Sequence, residues 1–240
     1  MNFFIDALNF IVDPANLVGP NSVLSRLADH LLYSGLATGI ALVIGLPLGL
    51  LIGHTGRGRG FVIGVSGAAR AMPSFGLVLF IILFTGIGLW PLVAVLAILA
   101  VPAIIAGAYA GLESVNRQTI DAARSVGMTE WQVLWRVEVP LALPLIIGGI
   151  RSAALQVIAT ATIAAYVGLT GLGRFLIEGL AVRNYTVVIA GAILVAALAL
   201  LVDGLLALVQ LLVTPRGVSR GVTSTTPRTR APLRRAGASL

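Results

Sequence analysis

Long apolar stretches alternate with short polar ones along this chain of 240 residues. Five stretches are long enough to cross a bilayer, whose hydrocarbon core takes about 20 helical residues. The predicted spans are residues 31–53, 71–89, 91–111, 141–167 and 185–213. The pattern therefore predicts an all-α integral membrane protein with about five transmembrane helices.

The first predicted span carries a row of small residues, most of them four positions apart. The row consists of Gly35, Gly39, Gly45, Gly49 and Gly53. Small residues about four positions apart let two helices approach closely inside a membrane. We therefore expect this helix to pack tightly against a neighbouring span.

Polar segments flank the apolar region at both ends. Residues 1–30 combine an amphipathic stretch between Phe3 and Ile11 with a later Pro14 and Pro20, which is typical of a segment lying on the membrane surface. Residues 214–240 hold six of the sixteen arginines among Ser, Thr, Pro and Gly, which predicts a disordered basic tail. The transmembrane domain is predicted over residues 31–213.

The distribution of arginine predicts which segments face the cytoplasm. The loops at residues 54–60 and 112–140 and the C-terminal tail hold eleven arginines, whereas the segments on the opposite side hold three. Positively charged loops stay preferentially in the cytoplasm. We therefore expect the N-terminus and residues 1–30 outside, and the polar loop and the C-terminus inside.

Composition excludes several kinds of site. The chain is 10% charged, against about 25% in a soluble domain. The lack of cysteine excludes disulfides and thiolate metal sites, and the lack of lysine excludes a P-loop for ATP. His30 and His54 are predicted to cap opposite ends of the first span, too far apart to share a metal ion. We assign no metal, cofactor or catalytic residue, and nucleic acid is not expected as a partner.

The polar loop between the third and fourth spans, residues 112–140, is the most informative part of the chain. Asn116 is a predicted N-cap for a helix over residues 117–126. Gly127 is predicted to end that helix, because glycine adopts the left-handed conformation without a Cβ clash. The residues expected on its apolar face are Ile120, Ala123 and Val126. Asp121 is spaced to pair with Arg117 or Arg124.

A second short helix is predicted to follow the glycine. Thr129 and Gln132 have the spacing of a capping box. The apolar face of this second helix is expected to consist of Trp131, Leu134 and Trp135. Pro140 is expected where the chain turns back into the bilayer.

The predicted arrangement of two short helices joined at a glycine suits docking to another protein. Ala122 and Ala123 keep the first helix thin enough to enter a groove, and Asp121 supplies a charge that a partner can pair. Gly127 fixes the angle between the first helix and the spans. The alternative is an ordinary solvated hairpin, stabilised by charge pairs worth about 0.3–0.5 kcal/mol each.

The same segment resembles the "EAA" loop of permease subunits of ABC-type importers, the binding-protein-dependent transport permeases. That loop reads Glu-Ala-Ala, three residues, Gly, nine residues, then hydrophobic-x-Leu-Pro. The matching residues here are Asp121-Ala122-Ala123, Gly127 and Val137-Glu138-Val139-Pro140. Asp121 replaces Glu and Val139 replaces Leu.

Other stretches are similar to the osmoprotectant branch of that family, which carries glycine betaine, carnitine, choline or proline. The resemblance extends over about residues 31–211. The stretches that carry it are residues 71–74, 111–115, 140–144, 149–151, 159–162 and 168–173.

The resemblance implies a type I ABC importer permease fold with a cytoplasmic coupling helix, in the bacterial cell membrane. Asp121, Ala122, Ala123, Gly127 and Pro140 would dock on a separate ABC ATPase subunit. Two permease chains, identical or homologous, would form the translocation path. An extracytoplasmic solute-binding protein would deliver the solute.

Other polar residues have simpler interpretations. Asp203 is predicted to form a helix-packing hydrogen bond, with a cavity-lining role as the alternative. Arg70 and Arg151 are predicted to extend toward the membrane surface. Arg174 and Glu178 are an i,i+4 pair in an outer loop. No aromatic cluster that could cage a quaternary ammonium is visible in the sequence, so no substrate-binding residue is assigned.

Three other functions compete with this interpretation. The first is an ABC permease for another small solute, such as an amino acid. The second is an ion-coupled secondary transporter, a class that usually shows internal repeats and ionisable or broken-helix sites at the membrane midplane. The third is a membrane scaffold without a transport role.

Overall fold

The computed structural model describes residues 2–214, apart from the side chains of residues 63, 65, 69 and 70. The predicted disordered tail beyond Thr214 and the predicted role of Arg70 lie outside the described residues. In chain order the helices are α1 (Phe3–Val12), α2 (Pro14–Leu17), α3 (Val23–Thr55), α4 (Arg59–Ala71), α5 (Ser74–Thr85), α6 (Leu89–Glu113), α7 (Arg117–Ser125), α8 (Glu130–Val133), α9 (Val139–Ala161), α10 (Gly173–Ala181) and α11 (Tyr185–Val213). A π-helical segment (Leu134–Glu138) joins α8 to α9, and a 3₁₀ segment (Thr162–Val167) follows α9.

Within residues 2–214, four helical stretches are long and apolar enough to cross a membrane. They are Val23–Thr55, Leu89–Glu113, Glu130–Val167 and Tyr185–Val213. They contain the first, third, fourth and fifth predicted spans. The prediction of an all-α membrane protein is confirmed.

The second predicted span, residues 71–89, is divided between two shorter helices. The break lies at Met72 and Pro73, where Met72 has an extended ψ of 127°. Proline disfavours a helical conformation in the preceding residue and lacks the N–H that would continue the ladder. The 12 residues of α5 cover about 18 Å, less than the hydrocarbon core of about 30 Å. A crossing at this position therefore needs both α4 and α5.

The first span helix starts at Val23 rather than at Leu31 as predicted. Ser22 caps α3 by accepting a hydrogen bond from the Ser25 amide. This start was not visible in the sequence because polar residues interrupt the apolar run, and two of them find a partner only in the folded protein. Arg26 donates to Glu178 at 2.8 Å, and His30 Nε2 lies 3.0 Å from the Ile158 carbonyl oxygen. The prediction that His30 caps the span is therefore wrong.

The core consists of α3, α6 and α9, held together by close helix crossings. A Cβ atom built at Gly49 would lie 2.7 Å from the Ala108 Cβ, and one at Gly53 would lie 2.8 Å from the Leu112 Cβ. Gly107 of α6 faces Gly149 of α9 so closely that a Cβ at Gly107 would lie 2.5 Å from the Gly149 Cα. The predicted close packing of the first span is confirmed for Gly45, Gly49 and Gly53, whereas a Cβ at Gly35 or Gly39 would meet no atom of the described residues within 4 Å.

One partly buried polar contact ties α9 to α11. Arg151 donates to both carboxylate oxygens of Asp203 at 2.8 Å and to the Gln210 side chain at 2.9 Å. The prediction of a packing role for Asp203 is confirmed. The prediction that Arg151 extends to the membrane surface is wrong, because its planar fork matches the carboxylate of a neighbouring helix.

Candidate functional site

The polar loop folds as two capped helices around a glycine. The side chain of Asn116 accepts from the Gln118 amide at 2.8 Å, so the predicted N-cap of α7 is confirmed. Gly127 has a φ of 87°, the left-handed conformation expected of it. The Met128 amide then donates back to the Ala123 carbonyl at 3.2 Å, which closes the C-terminus of α7.

The second predicted helix begins as the capping box requires. The Thr129 side chain accepts from the Gln132 amide, and the Gln132 side chain accepts from the Thr129 amide at 2.9 Å. Trp131 and Trp135 stack edge to face with ring centroids 5.5 Å apart and remain exposed. Leu134 does not share that exposed face, because it is buried in the core cluster beneath α7.

The inner face of α7 is anchored by one deeply buried side chain. Ile120 is 2% exposed and packs in a cluster with Leu112, Val115 and Val133, while Ala123 packs against the same cluster. Val126 is 80% exposed, so its predicted place on this face is wrong. It follows the last helical residue and no longer obeys the helical spacing.

The outer face of α7 carries most of the residues predicted for docking. Asp121, Ala122 and Gly127 are exposed, and Ala123 is partly buried against the core. Asp121 lies 3.6 Å from Arg124, whereas the alternative partner Arg117 makes no ion pair with it within the described residues. This thin, exposed helix face with one carboxylate is the candidate functional site.

Pro140, the fifth residue predicted to dock on the ATPase subunit, does not lie on α7. The chain does not turn at Pro140, because Glu130 to Val167 forms one continuous helical stretch. Just before Pro140 the helix widens into the π-helical segment, in which the Val139 amide bonds the Leu134 carbonyl five residues back. The polar loop is therefore shorter than predicted, and Pro140 is partly buried in the first turn of α9.

A series of charged contacts joins α7 to the spans. Arg124 forks onto both carboxylate oxygens of Glu130 at 2.9 and 2.8 Å, and Glu130 raises the pKa of Arg124. Glu130 lies 3.5 Å from His54 Nε2, and His54 Nδ1 lies 2.5 Å from Glu138. We call Arg124, Glu130, His54 and Glu138 the charged chain.

The charged chain was not foreseen from the sequence. His54 was predicted only to cap the first span, and Glu138 appeared only as part of the "EAA" pattern. The two residues are 84 positions apart, so no local spacing relates them. The single sequence signal is that Glu138, with Arg136, interrupts the mostly apolar stretch at residues 133–150.

A second charged cluster lies at the opposite end of α3. Glu178 accepts from Arg174 at 2.9 Å, which confirms the predicted i,i+4 pair, and it also accepts from Arg26 at 2.8 Å. Arg26 is 6% exposed, and its guanidinium lies 4.3 Å from the centroid of the Phe175 ring. This cluster fixes α10 against the start of α3.

Comparison with known proteins decides the family. Residues 45–214 match the family described as the binding-protein-dependent transport system inner membrane component. The chain belongs to this family. The resemblance found in residues 121–140 is thereby confirmed, and the interpretations as a secondary transporter or a scaffold lose their support.

Two relatives with known roles are similar in sequence to most of this permease. It is 33% identical over 196 residues to the glycine betaine/carnitine/choline transport system permease protein OpuCB of Bacillus subtilis, covering 82% of this chain and 90% of that protein. It is 35% identical over 219 residues to the osmoprotectant import permease protein OsmW of Salmonella typhimurium, covering 89% of this chain and all of that protein.

Solved structures agree on the fold. The permease superposes on a chain of the MetNI methionine ABC transporter in an inward-facing conformation with a TM-score of 0.72 and 24% identity, covering 80% of this chain and 96% of that chain. A chain of an amino acid ABC transporter with histidines gives a TM-score of 0.61 at 20% identity, covering 82% of this chain and 92% of that chain. The type I importer permease fold expected from the resemblance is confirmed.

Proposed function

We propose that this permease is the membrane-spanning subunit of an ATP-driven importer of a compatible solute such as glycine betaine, carnitine, choline or proline. The names of its relatives, which include glycine betaine, carnitine and choline permeases, support this solute class. The chain lacks the lysine of an ATP-binding P-loop. ATP hydrolysis therefore belongs to a partner chain, and this subunit is not a catalyst.

The observation that carries the proposal is the rigid presentation of α7. Its outer face offers Asp121 and Ala122 to a partner, while its inner face is anchored through Ile120. In this proposal Asp121, Ala122, Ala123 and Gly127 dock in a cleft of the ATPase subunit, and Pro140 supports the helix behind them.

Movement of α7 reaches the spans through two connections. One is the apolar contact of Ile120 with the core cluster, and the other is the charged chain to His54 and Glu138. ATP binding by the partner would shift the population between inward-open and outward-open conformations, since an effector acts through its differential contacts with the two states.

The assembly requires other chains. A second permease, identical or homologous, completes the translocation path within the lipid bilayer, and an extracytoplasmic solute-binding protein delivers the solute.

With α4 and α5 counted as one crossing, five crossings place the termini on opposite sides. The arginine-rich loops favour an outside N-terminus and a cytoplasmic C-terminus in the bacterial cell membrane.

The proposal is tested with Asp121→Arg in the complex reconstituted with its partner subunits. We expect the variant to insert in the membrane but to lose co-purification of the ATPase and ATP-dependent solute uptake. Asp6→Arg, which reverses an exposed charge on α1, is the matched control and should retain both. ATPase association that survives Asp121→Arg would contradict the docking role, and wild-type uptake driven by an ion gradient would contradict the whole proposal.

A further inference from the structure

One face of α9 is polar, although the helix lies within the membrane domain. Ser152, Gln156 and Ala159 are exposed at helical spacing, and Tyr166 continues this face on the 3₁₀ segment with 59% exposure. Amide and hydroxyl groups facing hydrocarbon are costly unless they find a polar partner. Gln156 Nε2 donates to the Leu99 carbonyl at 3.4 Å, whereas Ser152 and Tyr166 make no side-chain hydrogen bond among the described residues. This face of α9 therefore suits a water-filled path better than it suits lipid.

A small cavity opens beside this polar face, between α4, α6 and α9. Its volume is about 190 Å³, and its polar lining consists of Ser66, Ser152 and Gln156. The Ser66 hydroxyl is buried without a hydrogen-bond partner among the described residues. The cavity is smaller than the roughly 300–1,000 Å³ of drug-sized ligand sites, so it suits a solute of few heavy atoms.

Two aromatic side chains meet at the outer end of the polar face. The rings of Phe75 and Tyr166 have centroids 5.2 Å apart and planes at 63°, although the residues are far apart in sequence. Both remain accessible, with Phe75 42% and Tyr166 59% exposed. Phe75 follows the break at Pro73, and the 13 residues of α4 before that break cover about 20 Å of a hydrocarbon core of about 30 Å. With α4 and α5 counted as one crossing, the ring pair would lie within that crossing.

Carboxylates are scarce where a cation would pass. Neither residues 30–112 nor residues 139–177 contain an Asp or Glu. Asp203 is the acid within the α11 span, and both of its oxygens are bound by Arg151. A cationic solute in this path would therefore meet aromatic ring faces rather than an opposite charge from these helices.

We infer that Phe75 and Tyr166 form the contact for the quaternary ammonium head of the transported solute. Aromatic faces attract such cations through the ring quadrupole, and the attraction is strongest where water is excluded. The hydroxyl and amide groups of Ser66, Ser152 and Gln156 line the cavity farther along the same face of α9. The inference rests on the proposed function, because it requires that the solute carry a quaternary ammonium.

The test measures uptake of radiolabelled choline by the complete complex in vesicles, with the solute-binding protein at saturating concentration. We expect Phe75→Leu and Tyr166→Leu to raise the KM of uptake about 2- to 30-fold, the range that corresponds to loss of a cation–π contact. Tyr166→Phe and Phe75→Trp keep a ring and should stay close to the wild type.

The chain supplies a matched aromatic control. Phe80 and Phe84 form a similar pair with centroids 5.1 Å apart and 61% and 73% exposure, on the side of α5 turned away from Phe75. Phe80→Leu and Phe84→Leu should leave the KM unchanged. Equal effects at both pairs would indicate general packing against a second copy of the chain and would overturn the inference.

A fluorinated phenylalanine at position 75 covers the case in which the leucine variants fail to assemble. Fluorination keeps the shape of the ring and weakens its negative face, so the KM should rise with the number of fluorine atoms. An unchanged KM would overturn the ring contact while leaving the proposed function intact. Absence of any ATP-dependent choline or glycine betaine uptake by the wild type would instead overturn the proposed solute class.

Discussion

Nδ1 of His54 lies 2.5 Å from Oε2 of Glu138 and joins the last turn of α3 to the start of α9. The Glu138 side chain is 4% exposed and the His54 side chain 14% exposed. Glu138 stands in the stretch 137–140 that carries part of the "EAA" resemblance. The structure thus gives this acid a specific partner on another span.

Removing one member of this pair should weaken both stability and coupling. His54→Ala leaves the buried Glu138 without its partner, a loss expected to cost about 1–3 kcal/mol. Because the outer face of α7 is unchanged, we expect the ATPase to co-purify while the number of solutes imported per ATP falls. The measurements are thermal unfolding in detergent and the ratio of uptake to ATP hydrolysis in vesicles.

The double variant His54→Ala/Glu138→Leu serves as the control. Replacing both polar groups by apolar ones removes the unpaired carboxylate, so stability should partly return. Coupling should remain low, because the connection between α3 and α9 is still missing. Normal coupling in the double variant would show that the charged chain does not transmit movement.

The contact between Gly107 and Gly149 should not tolerate a methyl group. A Cβ at Gly107 would lie 2.5 Å from the Gly149 Cα, whereas a Cβ at Gly39 would have no atom within 4 Å. Gly107→Ala should therefore destabilise the protein by about 1–3 kcal/mol through overpacking of the α6–α9 crossing. Gly39→Ala is the matched control, and it should be neutral or stabilising because alanine favours the helix. Equal melting temperatures of the two variants would contradict the close crossing.

The bond between Arg151 and Asp203 should depend on charge. Asp203→Asn keeps the side-chain shape but leaves the guanidinium of Arg151 without a counter-ion at membrane depth. We expect less folded protein in detergent and a lower melting temperature. Arg151→Leu/Asp203→Leu should restore much of the folded yield, since replacing both partners of an ion pair by apolar groups is often tolerated. A folded yield for Asp203→Asn equal to the wild type would show that the pair does not stabilise the packing of α9 on α11.

Local signals in the sequence predicted local structure well. The Asn116 cap, the left-handed Gly127 and the capping box at Thr129 depend on residues within four positions of one another, and each is confirmed. The spans were found because their apolar runs are long. The start of the first span was wrong because a tertiary contact decided it: α3 extends back to Val23, and Arg26 binds Glu178.

Contacts between distant residues could not be predicted in this way. The pairs Arg151–Asp203 and Phe75–Tyr166 depend on how α5, α9 and α11 pack. A single sequence without related sequences carries no signal for such pairing. The polar residues themselves were visible, so the sequence indicated which side chains needed a partner but not which partner each would find.

The most direct test of the central claim is a cross-link from α7 to the ATPase subunit. The chain contains no cysteine, so Ala122→Cys introduces a single reactive thiol on the exposed face, and Val18→Cys, at a position 74% exposed near the start of α3, is the control. A short thiol-to-amine cross-linker should join the Ala122→Cys permease to the ATPase in the assembled, transport-active complex, and it should not join the Val18→Cys permease to it. An active complex in which Ala122→Cys gives no ATPase adduct, or in which Val18→Cys gives one instead, would contradict the account.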